Sequence, residues 1–215
     1  MPEFKDILRP KTAILLEYKS TNNPGPILFK MLEYVRKNYD KNIEILLTDF
    51  LDMLSIYKYQ AELSGLTTSI MEETPVIKVG GKLKAGKVIR KIPISSYAVH
   101  KSLYEETTST FIKNTNPNVE FVLNIQVGLE YLLNLFDKRE LVEQIHDLGE
   151  YIVTKTRDIR DVIFLNIDAL KDLPVEALSL LSIIMPVIME IKDENMLVIK
   201  KSPWKGITNK EISFV

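Results

Sequence analysis

Eight consecutive residues, Gly81-Lys82-Leu83-Lys84-Ala85-Gly86-Lys87-Val88, carry the spacing of a phosphate-binding loop, Gly-x-x-x-x-Gly-Lys, up to a closing valine. Chemistry at such a loop needs backbone N–H groups around the anion, a lysine on the β/γ-phosphates and a Ser or Thr hydroxyl on magnesium. Valine supplies no hydroxyl. The context also fails, because Val88-Ile89-Arg90-Lys91-Ile92-Pro93 reads as a strand, whereas the amides that hold phosphate open a helix. Gly80–Lys91 is therefore read as a lysine-bearing hairpin or loop. Lys78, Lys82, Lys84, Lys87, Arg90 and Lys91 fall within fourteen residues free of acids. Such a patch attracts nucleic-acid phosphate or an acidic protein face, and it equally blunts a sheet edge against aggregation.

The place where a parallel sheet puts a phosphate loop lies earlier. Strand Thr12–Tyr18 runs into Lys19-Ser20-Thr21-Asn22-Asn23-Pro24-Gly25-Pro26 and then a helix that buries Ile27, Leu28, Met31, Leu32 and Val35. That loop has one glycine, no Gly-Lys-Ser/Thr ending, and prolines that carry no N–H. Other constellations are equally bare. His100 and His146 lack a metal-ligand spacing and read as helix or surface residues. No Gly-x-Ser-x-Gly or His-Glu-x-x-His occurs. Asp49 and Asp52 read as a helix cap and a first-turn acid. No catalytic residue and no metal ligand is assigned.

These residues need elements to position them. Nearly continuous apolar runs at Thr12–Tyr18, Ile43–Leu47, Pro75–Val79, Val119–Asn124 and Asp161–Ile167 predict strands of a mostly parallel sheet buried on both faces. Between them, helices are predicted after Pro26, over Phe50–Ser64 with Asp49 as cap and Gly65 as stop, and over Ala98–Asn114, Val127–Phe136, Asp137–Val153 and Val175–Ile184. Val187–Ile191 and Met196–Lys200 flank Asp193-Glu194-Asn195 as an antiparallel hairpin. On the helix after Asp137, Glu140, Glu143, Asp147 and Glu150 make an acidic stripe, while Leu141, Val142, Ile145 and Leu148 form an inward face. Ligands of such sheets sit beyond the strands' carboxyl ends, so Lys19, Ser20, Thr21, Asn22, Thr48, Asp49, Asn124, Gln126 and Asn166 form the candidate crevice.

Composition fits one α/β domain over 1–215. The chain has 28 Lys plus Arg, 29 Asp plus Glu, a net charge of −1 and no cysteine. Disulfides, thiolate metal sites and a cysteine nucleophile are thereby excluded. Balanced charge argues against a dedicated nucleic-acid or membrane-surface protein, leaving weak nucleic-acid binding or none. The opening residues Met1–Arg9 hold no long apolar run, so neither a signal peptide nor a membrane span is expected and the protein is expected in the cytoplasm.

The order of elements resembles the RecA/KaiC-like ATPase domain over nearly the whole chain. Shorter pieces resemble a family of hyperthermophilic archaea within it, the domain-of-unknown-function 257 family: Leu15–Ser20, Thr48–Leu54, Val76–Gly81, Asn124–Glu130 and Val198–Ser202. The resemblance implies a three-layer α/β fold with helices on both faces of a mostly parallel sheet and a C-terminal antiparallel hairpin. It also implies where catalytic groups would stand. Asn22–Pro26 replaces the phosphate-loop lysine and hydroxyl, and Asn124 replaces the strand-end aspartate that orients magnesium. Asp49, or Thr48 beside it, holds the place of the carboxylates after the second strand. Lys200-Lys201-Ser202 keeps one lysine of the terminal Lys-x-Arg. A non-catalytic protein acting by protein binding or assembly follows, without a cofactor; ATP binding, if any, is expected without hydrolysis. A divergent nucleotide-binding ATPase and a nucleic-acid-associated accessory protein are the alternatives. The candidate interface is Lys82, Lys84, Lys87, Glu143, Asp147, Lys200, Lys201 and Trp204, the last packing the terminal tail or facing a partner.

Overall fold

A computed structural model describes residues 2–39 and 42–214; Met1 of the opening segment lies outside the described residues. Its strands are β1 (Ala13–Tyr18), β2 (Ile43–Phe50), β3 (Pro75–Val79), β4 (Lys87–Ile92), β5 (Phe121–Val127), β6 (Ile159–Asn166), β7 (Val187–Asp193), β8 (Met196–Lys201) and β9 (Glu211–Ser213). Helices are α1 (Phe4–Ile7), α2 (Pro24–Tyr39), α3 (Met53–Leu63), α4 (Ile70–Glu73), α5 (Tyr97–Asn114), α6 (Leu129–Leu133), α7 (Lys138–Thr154) and α8 (Val175–Ile184). The strands form one sheet in the order β4-β3-β2-β5-β6-β1-β7-β8-β9. Pairing is parallel from β4 through β7 and antiparallel from β7 to β9. These are the layers and the terminal hairpin that the resemblance implied.

Strand parity divides the core. Ile14, Leu16, Ile45, Leu47, Leu123, Ile125, Val162 and Phe164 point to the face packed by α2 and α3. Their alternates Ala13, Leu15, Leu46, Ile163 and Leu165 point to the face packed by α6, α7 and α8. Each fully buried Leu or Ile contributes about 1.5–3 kcal/mol relative to its exposed state, so both faces are needed to hold the sheet. Helix α2 approaches α3 closely at Gly25, where an added Cβ would lie 2.1 Å from the Tyr57 carbonyl oxygen.

Several sequence expectations shift. Strand β2 continues to Phe50, which places Asp49 inside the strand rather than at a helix cap. Helix α3 begins only at Met53, with Asp52 as its N-cap in the left-handed region at φ 69°. Strand β5 runs on to Val127, which shortens the predicted Val127–Phe136 helix to α6. The segment Gly80–Lys91 is not a hairpin: β4 pairs parallel with β3 after a crossover of residues 80–86. Parallel neighbours usually need a much longer connection. Gly81 makes the short one feasible, since at φ +69° an added Cβ would lie 2.3 Å from the Asp52 carboxylate. The short strand β9 and helices α1 and α4 had no sequence pattern long enough to predict them.

Candidate functional site

The nine crevice residues separate into three environments, because alternating strand residues face opposite sides of the sheet. The loop after β1 is closed by its own side chains. Lys19 N–H donates to Asn22 Oδ1 at 2.8 Å, and Ser20 N–H donates to Asp168 Oδ2 at 2.9 Å. Asn166 Nδ2 donates to Ser20 Oγ at 3.1 Å, and Asn166 Oδ1 accepts from Asp168 N–H. At the start of α2, Gly25 N–H donates to Gln60 Oε1 between two prolines that carry no N–H. The Ser20 amide and Lys171 hold the Asp168 carboxyl below its usual range. A carboxylate therefore occupies the direction from which an anion would approach these amides. Thr21 is exposed.

Asp49 lies on the opposite side from Thr48 and faces no crevice. It is fully buried, accepts from Leu54 N–H at 2.9 Å, and pairs with Lys78 Nζ at 2.7 Å. Lys78 also reaches Asp52 Oδ1 at 2.5 Å. Asp52 in turn accepts from the amides of Lys82 and Leu83, fastening the crossover to the start of α3. Burial works against the Asp52 carboxylate, but Lys78 and these amides outweigh it and lower its pKa. Lys78 is 2% exposed and drops out of the basic patch.

Thr48, Asn124 and Gln126 face α5 and α7. Asn124 lies three positions before the end of β5, so it does not stand at a strand terminus. Its Nδ2 donates to Asp161 Oδ1 at 2.8 Å, and Asp161 is paired with buried Lys155 at 2.7 Å. Thr48 Oγ1 lies 3.1 Å from the Tyr104 hydroxyl. His100, read as a helix or surface residue, lies on helix α5 but is buried there, and burial lowers its pKa to about 4. His146 is exposed. Among the described residues no group of three His, Asp or Glu can hold a metal ion.

Sequence reasoning missed Glu130. This carboxyl is fully buried behind the β1 loop, where Tyr18 Oη donates to its Oε1 at 2.9 Å and Tyr57 Oη donates to Tyr18 at 2.7 Å. Among the described residues Oε2 has no hydrogen-bond partner. Burial raises its pKa to about 7, although its own amide and Tyr18 oppose the shift. One signal pointed to it: a lone acid inside the apolar run Val127-Gly128-Leu129-Glu130-Tyr131-Leu132-Leu133.

Half of the candidate interface is used within the chain. Lys200 pairs with Glu190 at 2.5 Å, and Lys201 Nζ donates to the Ser182 and Ile183 carbonyls at the end of α8. Asp147 accepts from Tyr97 Oη and pairs with Lys101 at 2.6 Å. Trp204 is half-buried against the core with the Arg9 guanidinium 4.3 Å over its ring. Trp204→Ala is accordingly expected to lower stability by about 1–2 kcal/mol in a denaturation series while leaving the scattering mass unchanged. Lys82, Lys84, Lys87 and Glu143 remain exposed.

Comparisons follow the fold. A Pyrococcus horikoshii OT3 protein, PH0250, is similar at 24% identity over 99% of this chain and 97% of its own, with a TM-score of 0.81. The flagellar accessory protein FlaH from Methanocaldococcus jannaschii is similar at 12% identity over 91% of this chain and 80% of its own, with a TM-score of 0.45. The ATP synthase subunit NeqB from Nanoarcheaum equitans is similar at 11% identity over 87% of this chain and 47% of its own, with a TM-score of 0.47. No curated protein matches in sequence. Among the described residues no helix is long and apolar enough to cross a membrane. The family model described as "Pyrococcus protein of unknown function, DUF257" matches residues 3–213, and the chain belongs to that family.

Proposed function

We propose that this protein works by binding another protein at its β4 edge and does not turn over nucleotide. One observation carries the reading: the amides of Lys19, Ser20 and Gly25, where phosphate would bind, already donate to Asn22, Asp168 and Gln60. Opening them to an anion would displace three hydrogen bonds and bring phosphate against the Asp168 carboxylate, whereas a phosphate loop needs free N–H groups. The β4 edge is open on its outer side. Ile89 bulges out of register with β3, and Lys82, Lys84, Lys87 and Lys91 are exposed around it. That surface suits a protein with an acidic face, and a second copy presenting Glu143 is the simplest such partner. Steric blunting by the bulge and lysines favours a side-chain contact over strand addition.

Saturating Mg-ATP is expected to leave the thermal midpoint unchanged, because only a ligand selective for the folded state shifts it. A concentration-dependent rise would overturn the nucleotide-free reading. Light scattering across a concentration series tests self-association, with loss of the larger species expected when Lys82, Lys84 and Lys87 are changed to Glu. A monomer at every concentration would sink the second-copy form.

A further inference from the structure

Between the sheet and the helices α5 and α7 lies a cavity of about 170 Å³. Its floor is Leu46, Val122, Asn124 and Gln126 on β2 and β5, which lie three and two strands from β1 in the sheet. Three buried polar atoms that have no hydrogen-bond partner among the described residues belong to residues that line it: His100 Nδ1, Asn124 Oδ1 and Gln144 Oε1. His100 and Asn124 are each only 5% exposed. The Asn124 amide is oriented by its own contacts, since Nδ2 donates to Asp161 and Oδ1 must point away from that carboxylate. The Tyr104 hydroxyl neighbours this amide and is held by Thr48, yet it leaves Oδ1 unpartnered. Buried polar atoms left open carry a penalty in the folded protein, so three around one cavity call for an occupant.

The lining defines that occupant. Two amide oxygens only accept, so the ligand must donate at two points; His100 Nδ1 supplies a third contact. Charge is balanced here: Lys101 and Asp147 in the lining are paired at 2.6 Å, and Lys155 is paired at 2.7 Å with Asp161, the partner of Asn124. Glu105 lies exposed at the mouth. A neutral ligand fits such walls, since an anion would find no free cation there. His100 stacks on Tyr104 at 5.9 Å and 22°, beside Phe50, which presents aromatic surface to a flat molecule. In size, an apolar cavity of about 150 Å³ accommodates benzene, so this one suits one ring or a compact pair.

We infer that this cavity is a binding site for a neutral, planar nitrogen heterocycle of nucleobase size that donates N–H bonds to Asn124 and Gln144. The site is independent of the β4 edge and of the loop after β1. Binding here requires no phosphate.

The test uses the full chain with cytosine and adenine as probes and benzene as the apolar control, read by calorimetry and by ligand-observed NMR. At least one base is expected to bind, and Gln144→Leu is expected to weaken it by about tenfold or more, the effect of one lost buried hydrogen bond. Thr108→Phe, which fills the space from α5, is expected to abolish binding while circular dichroism stays unchanged. Should Thr108→Phe fail to fold, the Gln144→Leu comparison still decides. Binding of benzene with neither base, binding unaffected by Gln144→Leu, or no binding of any probe up to its solubility limit would each overturn the assignment.

Discussion

Replacing Lys78 by methionine is expected to cost about 3–5 kcal/mol of folding stability, read as a fall in the urea midpoint, because removing one member of a buried ion group strands the others. Lys78 Nζ is the counter-charge of Asp49, which is fully buried, and of Asp52. Burial alone would lower the lysine's pKa, but the hydrogen bonds to these two carboxylates overcome it and raise the value. Without the ammonium, Asp49 retains only the Leu54 amide, and Asp52 retains the Lys82 and Leu83 amides. Two controls isolate the mechanism. Lys82→Met, at an exposed position, is expected within about 0.5 kcal/mol of the parent. Adding Asp49→Asn to Lys78→Met should recover part of the loss, since the stranded buried charge is then gone. A loss below about 1 kcal/mol for Lys78→Met would show that the triad does not hold the fold.

The second large effect depends on pH. Glu130 has a pKa of about 7 in the fold against 4.5 for the free side chain, with burial as the main cause. Between those values the folded state holds more protons than the unfolded state, so stability falls as pH rises. The contribution is fully present below about pH 4.5 and is lost as pH climbs through 7, an amplitude of about 3 kcal/mol. Glu130→Gln keeps an acceptor for Tyr18 and removes the charge. It is expected to match the parent near pH 4.5 and to exceed it by up to about 3 kcal/mol above neutrality. His100 works in the opposite sense. Its pKa, lowered to about 4 from 6.5 by burial, makes stability fall as pH drops from 6.5 to 4. The two windows nearly cancel in the parent, so its profile should be shallow over that range. Glu130→Gln exposes the His100 slope. Denaturation midpoints from about pH 4 to 8 check both signs; a variant whose advantage does not grow with pH would refute the Glu130 account.

Much of the scaffold was legible because both faces of the sheet are covered, which writes each central strand as an unbroken apolar run. Val175–Ile184 matches α8 residue for residue, and the Asp193-Glu194-Asn195 turn joins the two strands expected around it. The site was less legible, for reasons of parity and context. Thr48 and Asp49 are adjacent in sequence, yet one faces α5 and the other is sealed beside Lys78. The lysines around Gly81 looked uniform, but only the carboxylates of Asp49 and Asp52 distinguish Lys78 from its neighbours. The cavity has no sequence signature, because it arises from what α5 lacks. That helix fully buries only Tyr97 and His100, and Thr108 lines the cavity where a larger apolar group would have closed the space.

The position of β1 also sets an order of events during synthesis. Among the described strands β1 comes earliest in the sequence, yet its neighbours are β6 and β7, whose residues begin at Ile159 and Val187. Until more than 140 residues have followed it off the ribosome, both of its edges lack their native partners, although α2 and α3 are already made to cover one of its faces. Strands β2, β3 and β4 pair with near neighbours, and β5 joins them later, so one half of the sheet can assemble while its eventual centre waits. Pairing across such sequence separation is slow, and an unpaired apolar strand is a template for aggregation. The nascent chain is therefore exposed to misassociation along the two unpaired edges of β1, where holdase chaperones would find their target.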